Sequence, residues 1–363
     1  MRIDLQKYKL LNYKKITYCV IFIAAILFRF PLFTQVGKDS QTFEKAVTRF
    51  SMGINPYIDT IKSFSDKDIS SNGYAYFPGL LYTYYGLDVI SVITHIPGSI
   101  LWKIPGFLAE IAAGLMLIKI LKNKPFGVTV VALLIWLFNP YLVVDYKYTY
   151  TDAIPTLLLF LSLYFIEKDS VLTGVFFALS VIFKPFPIFV FPIYLLLVKD
   201  KFKFLTAGFI IAFVFSLPFM TSISNFLTYI QGSLFVHEGR EVTGRPFLFY
   251  ISYYLHIEFF RIIPIKFYTL MATFLGWILI LLAYFVKKVK DPYILATISL
   301  CAFYLFTPVL NRTYILWFLP EFLISLSLFK KSKFFYISAF VFYIFYIWYL
   351  YQWVDGFHIT RPQ

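Results

Sequence analysis

Apolar runs of about 20 residues repeat along this 363-residue chain, and short lysine-rich gaps separate them. A helix of that length spans the hydrocarbon core of a bilayer. The backbone must satisfy its own hydrogen bonds in lipid, and the period-2 alternation of a β-barrel is absent, so the runs predict helices. Only 14% of the residues are charged, against about 25% in soluble domains. We expect an all-α polytopic membrane protein with one domain over residues 1–363.

The basic residues indicate membrane topology more than nucleic-acid binding, although the net charge is +14. They fall in the short gaps between the apolar runs, which is the positive-inside pattern of cytoplasmic loops. We therefore expect a cytoplasmic N-terminus, an uncleaved first span and no nucleic-acid partner. Cys19 and Cys301 lie in apolar runs and are interpreted as small hydrophobic residues. The clusters are Lys7, Lys9, Lys14 and Lys15; Lys119, Lys122 and Lys124; Lys199, Lys201 and Lys203; Lys287, Lys288 and Lys290; and Lys330, Lys331 and Lys333.

Placing every lysine cluster on the cytoplasmic side predicts about eleven crossings and an outer C-terminus. Two long segments then lie outside, a first outer loop at about 37–97 and a late outer loop at about 222–264. Residues 79–95 are apolar and predict a juxtamembrane helix in the first loop; whether they cross the membrane stays open. Residues 171–198 are too long for one crossing that keeps the next cluster inside. We expect two short helices that meet near Lys184, with this side chain facing a cavity.

Asp39 is the leading candidate for chemistry, because it follows the first span directly and lies in a loop rich in turn residues and aromatics. Charges at membrane depth are costly, so a functional role is the default hypothesis. A solvated loop position is the alternative for Asp39. Residues 53–57 contain Gly, Asn and Pro and predict a turn that shapes this loop. Tyr76 precedes a Phe-Pro pair that is also typical of a helix start.

Other polar side chains have two interpretations each. Glu110 lies within an apolar run, where it either pairs with a basic residue or binds a ligand. Asp152 either caps its helix or takes part in a site. Arg312 belongs with two arginines of the late outer loop that either grip a phosphate or remain surface charges. A lone His237 is more often structural than catalytic. The loop arginines are Arg240 and Arg245.

No metal-ligand spacing and no nucleotide-binding motif occurs, so we expect neither a metal nor a cytoplasmic nucleotide donor. Several motifs occur in a characteristic order: Asp39 with Phe43 and Ala46, and residues 53–57, 76–81, 136–140, 178–187, 191–192, 237–240, 245–250 and 311–320. Their order resembles the GT-C superfamily of glycosyltransferases. The likeness is greatest to mannosyltransferases that use a lipid-phosphate mannose, such as the catalytic subunit of GPI mannosyltransferase I and bacterial polyprenyl-phosphate-mannose enzymes.

The resemblance implies a GT-C-like fold and an inverting transfer of a sugar, mannose by analogy, on the outer face. The donor is a polyprenyl-phosphate sugar, and the acceptor is a lipid or a glycan. Asp39 is implied to be the general base. Relatives often carry a paired Asp-x-Asp here, but the first position is Gly37, so a single carboxylate without a metal is expected. Candidates for the donor phosphate are Lys184, Arg240, Arg245 and Arg312, and candidates for substrate binding are Tyr57, Tyr76, Glu110, Asp152, His237, Glu238, Tyr314 and Trp317.

Two other classes of function stay open from the sequence. A transporter or flippase of lipid-linked substrates would use the same buried charges as a substrate path, although no internal repeat is visible. A non-catalytic subunit of a glycan-assembly complex would tolerate changes at Asp39. The aromatic candidates also have a simpler interpretation as an interfacial belt. The sequence does not determine the oligomeric state.

Overall fold

The computed structural model describes residues 2–35, 37, 39–65, 73–140, 152–236, 243–244, 246–256, 265–329 and 331–351. Helices dominate these ranges, as the apolar runs predict. Three of them, α2, α3 and α4, lie in residues 37–97, the predicted first outer loop. The helices of this half of the chain are α1 (Arg2–Arg29), α2 (Asp39–Ser51), α3 (Tyr57–Ser65), α4 (Pro78–Thr94), α5 (Gly98–Leu101), α6 (Ile104–Ile120), α7 (Phe126–Leu137), α8 (Ala153–Phe165) and α9 (Ser170–Phe183).

The second half continues in the same way, with one short strand pair. Two-residue strands β1 (Thr243–Gly244) and β2 (Val309–Leu310) pair in parallel. Short 3-10 segments at Phe30–Leu32, Leu121–Asn123, Phe186–Val190, Leu217–Phe219 and Arg312–Trp317 extend or join helices. The remaining helices are α10 (Phe191–Leu197), α11 (Lys201–Ser216), α12 (Ile223–Ser233), α13 (Phe247–Leu255), α14 (Ile265–Phe285), α15 (Pro292–Phe306), α16 (Leu319–Ser327) and α17 (Ser332–Tyr351).

Five helical stretches in the described ranges are long and apolar enough to cross a bilayer. Several shorter apolar helices accompany them, among them α8, α9 and α15. The prediction of an all-α, multi-pass membrane protein is confirmed, whereas the count of about eleven crossings stays a prediction. The five stretches are Asn12–Leu32, Gly98–Asn123, Lys201–Phe219, Phe267–Phe285 and Ser332–Tyr349.

Small residues let the helices approach closely, as is usual where lipid removes the hydrophobic drive for association. A Cβ atom at Gly174 of α9 would lie 2.3 Å from the carbonyl oxygen of Phe204 in α11. A Cβ atom at Gly276 of α14 would lie 2.7 Å from the hydroxyl of Ser299 in α15. These two contacts show that α9 packs closely against α11 and α14 closely against α15.

The predicted turn at residues 53–57 forms at the end of α2. Gly53 has a φ of 73°, which favours glycine. The side-chain oxygen of Asn55 accepts a hydrogen bond from the backbone N–H of Tyr57 at 3.0 Å. The Asn55 amide also donates to the side-chain oxygen of Asn225 in α12 at 2.5 Å. The motif therefore shapes the first outer loop and ties it to α12.

Candidate active site

A cavity of about 630 Å³ lies where α2, the loop before α4, the end of α9 and the Arg312–Trp317 segment meet. It combines aromatic walls with a few polar groups, a composition that suits an organic substrate with a polar head. Four of the candidates predicted from sequence line it, together with Thr42, Phe43 and Asn311. The four are Tyr76, Lys184, Tyr314 and Trp317.

Lys184 reaches the cavity because a Lys-Pro pair ends α9. A residue before proline is driven out of the helical region, and Lys184 has an extended backbone with φ of −158° and ψ of 134°. Its N–H still bonds to the Ser180 carbonyl at 3.0 Å, which closes the last turn. The chain resumes as a 3-10 segment at Phe186. The structure therefore contains the predicted helix break and a lysine at its tip.

The Asp152 carboxylate is the partner of Lys184. The Lys184 ammonium donates a hydrogen bond to Asp152 Oδ1, and the indole N–H of Trp317 donates to the same oxygen at 2.6 Å. Asp152 does occupy the position before α8, where only its backbone carbonyl bonds to Thr156, with the hydroxyl at 2.8 Å. The Asp152 side chain therefore does not cap α8 and instead binds Lys184 and Trp317, both of which line the cavity.

Tyr314 and Trp317 form one wall of the cavity because they lie three residues apart in a 3-10 segment. Side chains at that spacing eclipse one another in a 3-10 helix. Their rings stack with centroids 3.9 Å apart at 25°, and Phe186 stacks on the other side of Trp317 at 4.3 Å and 12°. Lys184 Nζ lies 5.1 Å from the Tyr314 ring centroid and 5.0 Å from that of Trp317. These rings offer a cation–π environment for the ammonium.

The helix that Asp39 begins contributes the opposite wall. The Asp39 side chain lies outside the described part of the structure, but Thr42 and Phe43 of the same helix line the cavity. Thr42 and Phe43 are three and four residues beyond Asp39, so the first turns of α2 lie at the cavity. Phe43 stacks on Tyr76 at 5.9 Å and 22°, and the Tyr76 ring lies 5.6 Å from Lys184 Nζ. One continuous contact therefore joins α2 to the buried lysine.

The late outer loop approaches the same region through the strand pair. Gly244 pairs with Leu310, and a Cβ atom at Gly244 would lie 2.1 Å from the Leu310 carbonyl oxygen. Gly244 also has a φ of 80°, which favours glycine, so both the backbone angle and the lack of space for a side chain require glycine here. Residues 237, 238, 240 and 245 lie outside the described residues, as does the side chain of Arg312. The predictions for His237, Glu238, Arg240, Arg245 and Arg312 therefore stay predictions.

Two sequence candidates lie away from the cavity. Glu110 of α6 is fully buried and forms an ion pair with Arg29 of α1, whose Nε donates to Glu110 Oε2 at 3.0 Å. This is the structural pairing that the sequence left as one alternative. Tyr57 is also buried, and its hydroxyl donates to the Tyr76 carbonyl at 2.8 Å. Tyr57 therefore supports the loop that presents Tyr76.

A second, apolar cavity of about 470 Å³ adjoins the first, and Asn311 borders both. Aromatic and aliphatic side chains of α13, α15 and α17 supply most of its surface, including Phe247, Leu305 and Phe345. Sequence reasoning missed this cavity, because its walls come from helices that are far apart in the chain. Within the described ranges, no three His, Cys, Asp or Glu side chains come together as metal ligands.

The fold and this site define a class: a predominantly helical integral membrane protein in which a cavity lined by a buried lysine adjoins a second, apolar cavity. Residues 74–308, more than half of the chain, match the model of glycosyltransferase family 87. The chain belongs to this family and is a glycosyltransferase, as predicted. No curated protein and no solved structure matches it. Family membership decides for an enzyme over the transporter alternative.

Proposed function

We propose that this protein transfers a sugar from a polyprenyl-phosphate donor to a lipid-linked or glycan acceptor on the outer face of the membrane. Mannose is the proposed sugar, by resemblance to lipid-phosphate mannosyltransferases. The observation that carries the proposal is the shared cavity of Lys184 and the Asp39 helix. The cavity offers a cation for a phosphate, and Asp39 is the proposed carboxylate, because it begins the helix whose Thr42 and Phe43 line the cavity.

The proposed reaction is a single inverting displacement at the anomeric carbon. The Asp39 carboxylate accepts the proton of the acceptor hydroxyl, and the hydroxyl oxygen forms a bond to the anomeric carbon. The bond between that carbon and the phosphate oxygen breaks, and polyprenyl phosphate leaves with the electron pair. General-base catalysis of this kind contributes typically 10²–10⁴-fold.

Lys184 is the proposed partner of the leaving phosphate, which gains charge as the bond breaks. Its pairing with Asp152 and the rings of Tyr314 and Trp317 holds the ammonium in place before the donor binds. A group held in position beforehand loses no further freedom during the reaction. The second cavity is the proposed site of the first prenyl units of the donor, since it is apolar and shares Asn311 with the first cavity.

The direct test is transfer by purified protein in detergent, without a membrane gradient. Polyprenyl-phosphate mannose and polyprenyl-phosphate glucose are supplied in turn, with a membrane glycolipid extract as acceptor and mass spectrometry as the readout. Asp39→Asn is expected to abolish transfer while donor binding persists, because the side-chain volume is kept and basicity is lost. Full activity of that variant excludes Asp39 as the base. Transfer from the glucose donor but not from the mannose donor excludes mannose as the sugar.

The outer location is tested separately with cysteine labelling. Met52, at the exposed end of α2, and Lys122, after α6, are each replaced by cysteine in a chain that has alanine at positions 19 and 301. A maleimide that does not cross membranes is expected to label Met52→Cys in intact cells and Lys122→Cys only after permeabilisation. The reverse pattern contradicts an outer active site.

A further inference from the structure

Lys103 is a buried lysine that lies apart from every lysine cluster and outside both cavities. It sits between α5 and α6 and is only 1% exposed. A lysine in an apolar, membrane-embedded segment is costly, so it calls for an explanation. Its ammonium group forms hydrogen bonds with one short stretch of chain, in the segment that leads from α1 to Asp39.

The Lys103 ammonium binds the carbonyls at the end of the 3-10 segment that follows α1. It donates to the carbonyl of Leu32 at 2.9 Å, to that of Phe33 at 3.0 Å, and to that of Gln35. A helix end leaves its last carbonyls without partners, and a cation there is favourable. One side chain therefore satisfies three acceptors and holds this end of the chain in place.

Asp39 is only four residues beyond Gln35, which limits its distance from the anchor to about 14 Å of extended chain. The N–H of Ser40 bonds back to the Gly37 carbonyl at 3.2 Å, which starts α2 close to the anchored stretch. Lys103 therefore contacts the chain within a few residues of the first turn of α2.

The neighbouring residue, Trp102, is linked to α2 through the ring of Tyr84. Its ring stacks on Tyr84 of α4 at 4.9 Å and 18°, and Tyr84 meets the edge of Phe43 at 5.2 Å and 82°. Phe43 is one turn beyond Asp39 and lines the cavity. Lys103 thus contacts the chain just before Asp39. The adjacent Trp102 is linked, through Tyr84, to the chain just after Asp39.

We infer that Lys103 is a positioning residue that sets the place of Asp39 against the acceptor hydroxyl. This inference rests on the proposed role of Asp39. A shift of about 1 Å in a reacting group can cost roughly 10²-fold in rate. Lys103→Met removes the three hydrogen bonds and is expected to lower kcat by about that factor, with the donor KM unchanged.

The experiment measures kcat, donor KM and the folded fraction of Lys103→Met and Lys103→Gln in detergent. The Gln amide keeps two N–H donors without the charge, so partial recovery of kcat is expected in that variant. Lys122→Met is the matched control, because Lys122 is exposed at the far end of α6 and is expected to keep the wild-type kcat.

The outcomes separate the two proposals when Asp39→Asn is assayed beside these variants. A wild-type kcat in Lys103→Met, or a fall only in proportion to lost folded protein, overturns the positioning role while Asp39→Asn remains inactive. An active Asp39→Asn overturns the base itself. A selective loss of kcat with recovery in Lys103→Gln supports the positioning role.

Discussion

Lys184 donates a hydrogen bond to Asp152 inside the protein, and the two residues are only 6% and 4% exposed. They come together although they are 32 residues apart in the sequence, because α9 ends at the Lys-Pro pair directly opposite the start of α8. The cavity wall is built around this pair. The Lys184–Asp152 pair is therefore expected to affect both stability and transfer activity.

Lys184→Met is expected to destabilise the protein by about 3–5 kcal/mol, since it leaves the Asp152 carboxylate buried without its cation. The double variant with Asp152→Asn is expected to recover part of that stability but no transfer activity. Denaturant unfolding in detergent and the transfer assay measure the two effects. Lys203→Met is the control, because its pair with Asp200 is exposed to solvent and such pairs contribute little to stability. An active double variant contradicts a role of Lys184 at the donor phosphate.

Trp317→Phe removes the indole N–H that bonds to Asp152 but keeps a ring that stacks between Tyr314 and Phe186. We expect the free energy of unfolding to fall by about 1.5–3 kcal/mol, as for the loss of a hydrogen bond to a charged group, and donor binding to weaken. Trp277→Phe is the matched control, since its indole N–H makes only a 3.3 Å contact with a backbone carbonyl. Equal losses of stability in the two variants would contradict a larger contribution from the hydrogen bond to Asp152.

Gly174→Ala is expected to destabilise the protein by about 1–3 kcal/mol, because the added methyl group meets the Phe204 carbonyl oxygen at 2.3 Å. Gly208→Ala changes the facing helix of the same pair, where the nearest atom to the new Cβ lies at 3.6 Å. That variant is expected to be tolerated. Thermal unfolding of both in the same detergent compares them, and an equally stable Gly174→Ala contradicts the close approach of α9 and α11.

Glu110→Gln is expected to lower stability and leave the donor KM of the folded fraction unchanged, because Glu110 pairs with Arg29 away from the cavity. Arg29→Met is expected to cost about 3–5 kcal/mol, and replacing both residues by Met is expected to cost less than Arg29→Met alone. Unfolding curves test the stabilities, and kinetics on purified protein test the KM. A raised KM in Glu110→Gln restores the ligand-binding alternative.

Local sequence predicted the features that depend on neighbouring residues. Pro185 ends α9 at Lys184 because the steric restriction acts on the adjacent residue. Residues 53–57 form a turn because Gly53 and Asn55 satisfy its backbone needs within five residues. The helical, membrane-embedded character followed from the apolar runs alone. Lys103 is also visible in the sequence as an isolated lysine within an apolar run, which is a local signal of a buried charge.

Long-range contacts were beyond that reasoning. Asp152 was compatible with a helix cap until the fold placed Lys184 and Trp317 beside it. Glu110 was compatible with a ligand until Arg29 was placed beside it. In each case the partner is at least 32 residues away, so only the packing of helices selects between the alternatives.

The sequence by itself determined that this chain forms membrane-embedded helices and where those helices break. It also identified the polar side chains that need a partner or a function within the membrane. Hydrophobicity, proline geometry and turn chemistry act over a few residues, so they can be read directly from the chain. The tertiary structure alone decided which buried charges meet and which face the cavity. Helix packing sets those distances, and a buried charge is stable only beside a partner that the packing supplies.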